Sequence, residues 1–169
     1  MTWAKSTGMR GQAAVEVLAY AAFFLLVFVT SVAIFLQLQE QELSRAENAF
    51  AQEVAYGFAD HIETAFVAGK GFSQTVTLPS NIHGKPYIIT VSKAERADLK
   101  ETGFVYVDWQ GPSRINSFSA PTITSSYDLL VDPSGFISNP NANSILINAS
   151  KGLRVKIENT GSSIKFSKG

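Results

Sequence analysis

The chain has no cysteine. It therefore holds no disulfide, no thiolate nucleophile and no cysteine-ligated metal. Its two histidines, His61 and His83, are too few for most histidine-based metal sites or catalytic triads. Charge is also sparse: 17% of the 169 residues are charged, against about 25% in ordinary soluble domains. The 14 basic residues balance the 14 acidic ones, so the basic excess of a nucleic-acid binder is missing and no nucleic-acid partner is expected. There is no phosphate-binding glycine loop and no Gly-x-Ser-x-Gly elbow. Asp108, Asp128 and Asp132 lack the spacing of an EF-hand calcium loop. No enzymatic activity, cofactor or metal is expected.

What is present is uneven. Met1 to Gly11 is a short leader carrying Lys5 and Arg10. Val17 to Leu36 is a run without charge, VLAYAAFFLLVFVTSVAIFL. Residues 37 to 67 are polar and acidic, with Arg45 alone against Glu40, Glu42, Glu47, Glu53, Asp60 and Glu63. From Gly69 the chain is rich in Ser, Thr, Asn, Gly and Pro and reads as β. The zero net charge thus conceals an acidic rod joined to a mildly basic head.

As a helix, the apolar run is about 30 Å long, the thickness of a bilayer core. A soluble core helix would keep one polar face, and this run has none. Thr30 and Ser31 are tolerable in lipid because each hydroxyl can bond back to the preceding turn. Lys5 and Arg10 precede the run while Glu40 and Glu42 follow it, so the positive-inside rule expects a cytoplasmic N-terminus and an external C-terminal region. Two rival readings are a cleaved secretory signal ending at Ser31-Val32-Ala33 and a plain signal anchor. The run exceeds the usual signal-peptide core and continues through Ile34, Phe35 and Leu36, which counts against the first.

Glu16 separates the second rival from a sharper reading. A carboxylate at the start of a membrane run costs a few kcal/mol, less near the interface, and usually has a partner. Its bland role would be as a helix-start anion favoured by the dipole. Cleavage between Gly11 and Gln12 would instead create an α-amino group one turn from Glu16, and the two could pair within a chain or between neighbours. The segment Arg10-Gly11-Gln12-Ala13-Ala14-Val15-Glu16, followed by an apolar helix, resembles a type IV prepilin. It is similar to the archaeal class III signal peptides, in which the mature chain begins at glutamine in a pattern Gln-x-Ser-x-Glu-x-x-x-Leu. Gln12 and Glu16 match; Ala14 stands where the family has serine and Tyr20 where it has leucine. The resemblance implies cleavage by a prepilin peptidase, membrane insertion, handling by a pilus assembly machinery, and a homo-oligomeric helical filament held by Gln12 and Glu16.

Past Gln37 the pattern turns amphipathic. Leu36, Leu43, Phe50, Val54, Phe58, Ile62 and Phe66 recur at sevens and fours and predict one apolar stripe. Phe50, Val54, Phe58, Ile62 and Phe66 are expected to pack on the β region. The interspersed alanines favour helix and close approach. No proline interrupts Gln12 to Val67, and Gly69 and Gly71 stop the helix. The expected segments are a leader over 1–11, a long helix over 12–68 and an extracellular β domain over 69–169. Within the helix, 13–38 is the membrane or filament-core part and 39–68 the amphipathic part.

The β region offers strand candidates at Gln74–Leu78, Tyr87–Val91, Phe104–Trp109, Tyr127–Val131, Ile145–Asn148, Leu153–Glu158 and Ser163–Ser167. The last three read as a meander, with hairpin turns at Lys151-Gly152 and Asn159-Thr160-Gly161. The expected fold class is α+β: one long N-terminal helix packed on an antiparallel β-sandwich or rolled sheet, as in type IV pilins. Asn148-Ala149-Ser150 is an N-glycosylation sequon, consistent with an external face. The expectation is a pilin of a surface filament, membrane-held as a precursor and extracellular once assembled, with adhesion among its uses. The alternatives are a minor pilin and an anchored binding module that never polymerises.

Overall fold

A computed structural model describes residues 7–93, 102–111, 114–124, 126–128, 135–141 and 143–169, without the side chains of 7–12 and 139–141. One helix, α1, runs from Thr7 to Ala68. The chain divides into two compact units, one up to Arg45 and one over Ala46–Gly169. In the first unit the apolar side chains from Val15 to Leu38 are exposed, with Phe28 at 66%. The Thr30 hydroxyl donates to the Leu26 carbonyl and the Ser31 hydroxyl to the Val27 carbonyl, both at 2.8 Å. These bonds hide both aliphatic hydroxyls of the run within the helix. This is one helix long and apolar enough to cross a membrane.

The second unit is α+β. Its strands are β1 (Ser73–Thr77), β2 (Tyr87–Lys93), β3 (Gly103–Gln110), β4 (Ile115–Thr122), β5 (Tyr127–Asp128), β6 (Ile137–Asn141), β7 (Ser144–Asn148), β8 (Arg154–Asn159) and β9 (Ile164–Lys168). They form a five-stranded sheet in the order β4-β3-β2-β7-β6 and a four-stranded sheet in the order β1-β8-β9-β5. The alternation of β3 sets the register of the larger sheet. Val105, Val107 and Trp109 are buried and lie opposite Val91, Ile89 and Tyr87 of β2. Ile89 and Val91 in turn lie opposite Ile147 and Ile145 of β7. One apolar cluster joins these residues to Val155, Ile157, Ile164 and Phe166 of the smaller sheet and to α1.

On α1 the buried stripe is Ala51, Val54, Ala55, Phe58, Ala59, Ile62 and Ala65. Phe58 stacks on Phe166 with centroids 6.0 Å apart. Of the five residues expected to pack on the sheets, Val54, Phe58 and Ile62 are buried and Phe50 is half-buried. Phe66 differs, at 45% exposed. Steps of four residues rotate by about 40° each on a helix of 3.6 residues per turn, so the row 54-58-62-66 drifts off the face. Ala65 continues the stripe instead, and the alanines do more of the packing than the aromatic row suggests.

The predicted meander is not formed. β7 pairs with β2 and β6, whereas β8 pairs with β1 and β9 in the other sheet. Gly152 has φ −178°, extended backbone, where a two-residue hairpin needs positive φ. A short 3₁₀ turn at Ala149–Lys151, with Ala149 buried, carries the chain from one sheet to the other. Leu153 precedes β8 and is 43% exposed, so it does not share the inner face of Val155 and Ile157. Gly161 has φ +95°, and the β8–β9 hairpin forms there as expected. The antiparallel expectation also needs one change: β5 runs parallel to β9, so the smaller sheet is mixed. β4 and β6 were not anticipated, because Ser-rich and Pro-containing segments read as loop. Proline is admitted on edge strands, and both are edges of the larger sheet. Of the strand candidate Tyr127–Val131, Leu129, Leu130 and Val131 lie outside the described residues.

Candidate functional site

Gly11, Gln12 and Arg10 lie within α1, and Lys5 lies outside the described residues. Glu16 is exposed. Among the described residues α1 extends back to Thr7, so Glu16 lies at least about two and a half turns inside it, beyond the first turn where the dipole favours an anion. In the uncut chain this removes the helix-start role for Glu16.

The second carboxylate of interest is Glu47, which the sequence pattern placed only among the acidic residues of the amphipathic helix. It is 2% exposed. One carboxylate oxygen pairs with the Lys85 ammonium, and the other accepts from Trp109 Nε1 at 3.1 Å. Trp109 is buried, and the Lys85 side chain is 27% exposed. Lys85 is held by a tight turn over Ile82–Lys85, whose end residues exchange backbone bonds of 2.9 and 3.0 Å. His83 at φ 49° and Gly84 at φ 81° give the turn its two left-handed central residues, as a type I′ turn requires. The Asn81 side-chain oxygen accepts from Gly84 N at 2.7 Å and fixes the entry. One helical turn after Glu47, Phe50 sits edge-on to the His83 ring at 6.0 Å. Glu47 and Phe50 of α1 thus clasp one turn of the β1–β2 connection, and β3 supplies the third partner.

At its other end α1 is closed by Asn159. The Asn159 side chain donates to the carbonyls of Ala65 at 2.9 Å and Phe66 at 3.3 Å, and its oxygen accepts from Gly161 N at 2.7 Å. The bond to Ala65 satisfies a carbonyl that the helix end leaves open, and the Phe66 carbonyl also accepts from Gly69 N at 3.3 Å. Gln74 of β1 donates to the His61 carbonyl at 2.7 Å. Asp60 is exposed and His61 half-buried.

Asn148 ends β7 and is half-buried. Its oxygen accepts from Ser150 N at 3.1 Å and from the Ser150 hydroxyl at 2.6 Å, so the sequon forms a local cap on the 3₁₀ turn. Tyr127 is buried, and burial pushes its phenol up to about 12. Its hydroxyl lies 2.5 Å from the Thr122 hydroxyl and also donates to the Thr124 carbonyl. Burial likewise raises Tyr87, whose hydroxyl donates to the Pro79 carbonyl at 2.8 Å.

Open clefts are small. One of about 220 Å³ lies between α1 at Phe50, Val54, Gly57 and His61 and the strand end Val76–Pro79. Asp108 and Asp128 belong to different sheets, Asp132 lies outside the described residues, and among the described residues no group of three metal-ligating side chains occurs. Comparison with family models, curated proteins and solved structures gave no match.

Proposed function

We propose that this chain is a pilin-like subunit of an archaeal type IV pilus-like surface filament. It is made as a membrane-held precursor, cut between Gly11 and Gln12 by a prepilin peptidase, and assembled through the apolar half of α1. The supporting observation is that half itself: apolar side chains exposed all round from Val15 to Leu38, with Glu16 near the start and Arg10-Gly11-Gln12 before it. A soluble monomer rarely exposes a contiguous apolar patch beyond a few hundred Å². Burial of each large apolar side chain contributes roughly 1.5–3 kcal/mol, and lipid or neighbouring helices supply that burial equally well. One surface therefore serves the membrane before assembly and the filament core afterwards.

In such a core Glu16 pairs with the new α-amino group of Gln12, because a lone buried carboxylate is costly while a paired one is tolerated. The β unit then lies outside the membrane and coats the filament, where adhesion is among its uses. Mass spectrometry of protein from membranes or sheared filaments tests the reading. The expected mature N-terminus is Gln12, and Gly11→Val abolishes it. An intact Met1, or a start near Ile34, refutes the proposal. Processing at Gln12 without filaments favours a minor pilin or a non-polymerising anchored module.

A further inference from the structure

The strand β4 is an outer edge of the five-stranded sheet. Its pairing with β3 is unbroken from Ile115 to Thr122. Gly111 N donates to the Arg114 carbonyl at 2.8 Å, which fixes the phase of that ladder. Antiparallel strands alternate, so Asn116, Phe118, Ala120 and Thr122 turn their backbone groups toward β3. Ile115, Ser117 and Ser119 turn theirs outward. All three are exposed, Ile115 at 68%, and among the described residues their amides have no backbone partner.

Proteins usually blunt such an edge with charge, proline or a bulge. The opposite edge, β6, has both Pro140 and a register shift between Ser138 and Asn141. β5 has two residues, and β1 has five against eight in β4. From Ile115 to Thr124 there is no charged residue, and the first proline is Pro121.

We propose that β4 is a self-association edge: two copies join β4 to β4, antiparallel, about a two-fold axis at Ser117. The register is self-complementary. Ser117 lies opposite itself, and Ile115 of one copy lies opposite Ser119 of the second. Outward-facing groups then meet only outward-facing groups, three from each copy, and Pro121 falls beyond them. No like charges meet, and the two larger sheets become one continuous sheet. A two-fold contact of this kind is isologous and closes at two copies. It uses only the β unit and stands or falls separately from the filament reading. If that reading holds, neighbours along a filament are related by a screw operation, so this contact links one filament to another.

The absence of native cysteine makes the test direct. Ser117→Cys, in the full chain in detergent micelles, brings two thiols together across the axis. Hydrogen-bonded antiparallel pairs have Cα atoms about 5.5 Å apart, within disulfide reach. Mild oxidation should give a covalent dimer, and Ser162→Cys, at an exposed turn, should not. Adding Ser119→Pro to Ser117→Cys removes an outward donor without touching β3 and should cut the dimer yield about tenfold or more. Ser117→Lys sets like charges opposite each other and should leave sedimentation at the monomer in density-matched detergent. Equal dimer yields from Ser117→Cys and Ser162→Cys overturn the proposal. So do a yield that Ser119→Pro leaves unchanged and a preference for mixed dimers between Ser117→Cys and Thr75→Cys chains, which would assign the edge to β1.

Discussion

Removing one or the other end of the Glu47–Lys85 pair should have unequal effects. The inequality follows from burial. Glu47 is 2% exposed, whereas the Lys85 side chain is 27% exposed. Lys85→Met leaves the carboxylate in the core with Trp109 Nε1 as its remaining donor. A buried charge stranded in this way costs about 3–5 kcal/mol. Glu47→Gln keeps an acceptor for Trp109 and strands an ammonium that can turn toward water. Its cost should be about 1.5–3 kcal/mol, the worth of a hydrogen bond to a charged group. Glu47→Gln added to Lys85→Met should therefore recover stability, because it neutralises the stranded carboxylate. Thermal unfolding of the full chain in detergent, with Trp3 replaced by Phe so that fluorescence reports Trp109 alone, measures all four proteins. Each kcal/mol should move the thermal midpoint by about 3–5 °C for a unit of this size. If Glu47→Gln costs as much as Lys85→Met, or the double variant is weaker than Lys85→Met alone, the carboxylate is not the desolvated member and the argument is wrong.

Three further outcomes are expected. Glu16→Gln should leave processing, membrane insertion and the melting of the β unit unchanged while filaments become few or absent, since a desolvated pair loses about 3–5 kcal/mol with one partner; filaments of normal number and length by electron microscopy would refute the pairing. Asn159→Ala should cost about 1–3 kcal/mol, because the Ala65 carbonyl and the Gly161 amide lose their side-chain partner while the Phe66 carbonyl keeps Gly69 N, and Asn159→Asp should cost more at neutral pH, because an anion then faces the negative end of α1. The raised phenol of Tyr127 predicts alkaline sensitivity. Above about pH 10 the unfolded chain releases this proton while the folded chain holds it until about 12, so stability falls as pH rises through that window. Tyr127→Phe should be less stable at pH 7 and should lose less than the parent between pH 9 and 11; a parallel decline in both proteins would show that Tyr127 does not carry the effect.

What the sequence determined is what neighbouring residues determine among themselves. The charge-free run from Val17 to Leu36, the lack of proline through Val67 and the glycines at 69 and 71 are local facts, and a helix is a local structure, closed by bonds four residues apart. The alternation of Phe104 to Trp109 is local too and separates two faces of β3, but both carry aromatic side chains, and only the fold made Val105, Val107 and Trp109 the buried one. Gly161 marked a hairpin because a positive φ is a property of one residue. Tertiary structure decided matters of partnership. The β7 and β8 patterns read alike, and only the burial of Ala149 and the extended backbone at Gly152 sent them to different sheets. β4 lacked the composition of a strand and became one by completing the ladder of β3. Glu47 looked like any acid on the polar face of an amphipathic helix. Its partners stand 38 and 62 residues away, at Lys85 and Trp109. No periodicity within the helix encodes that distance, and a buried charge becomes recognisable only when the fold brings its donors to it.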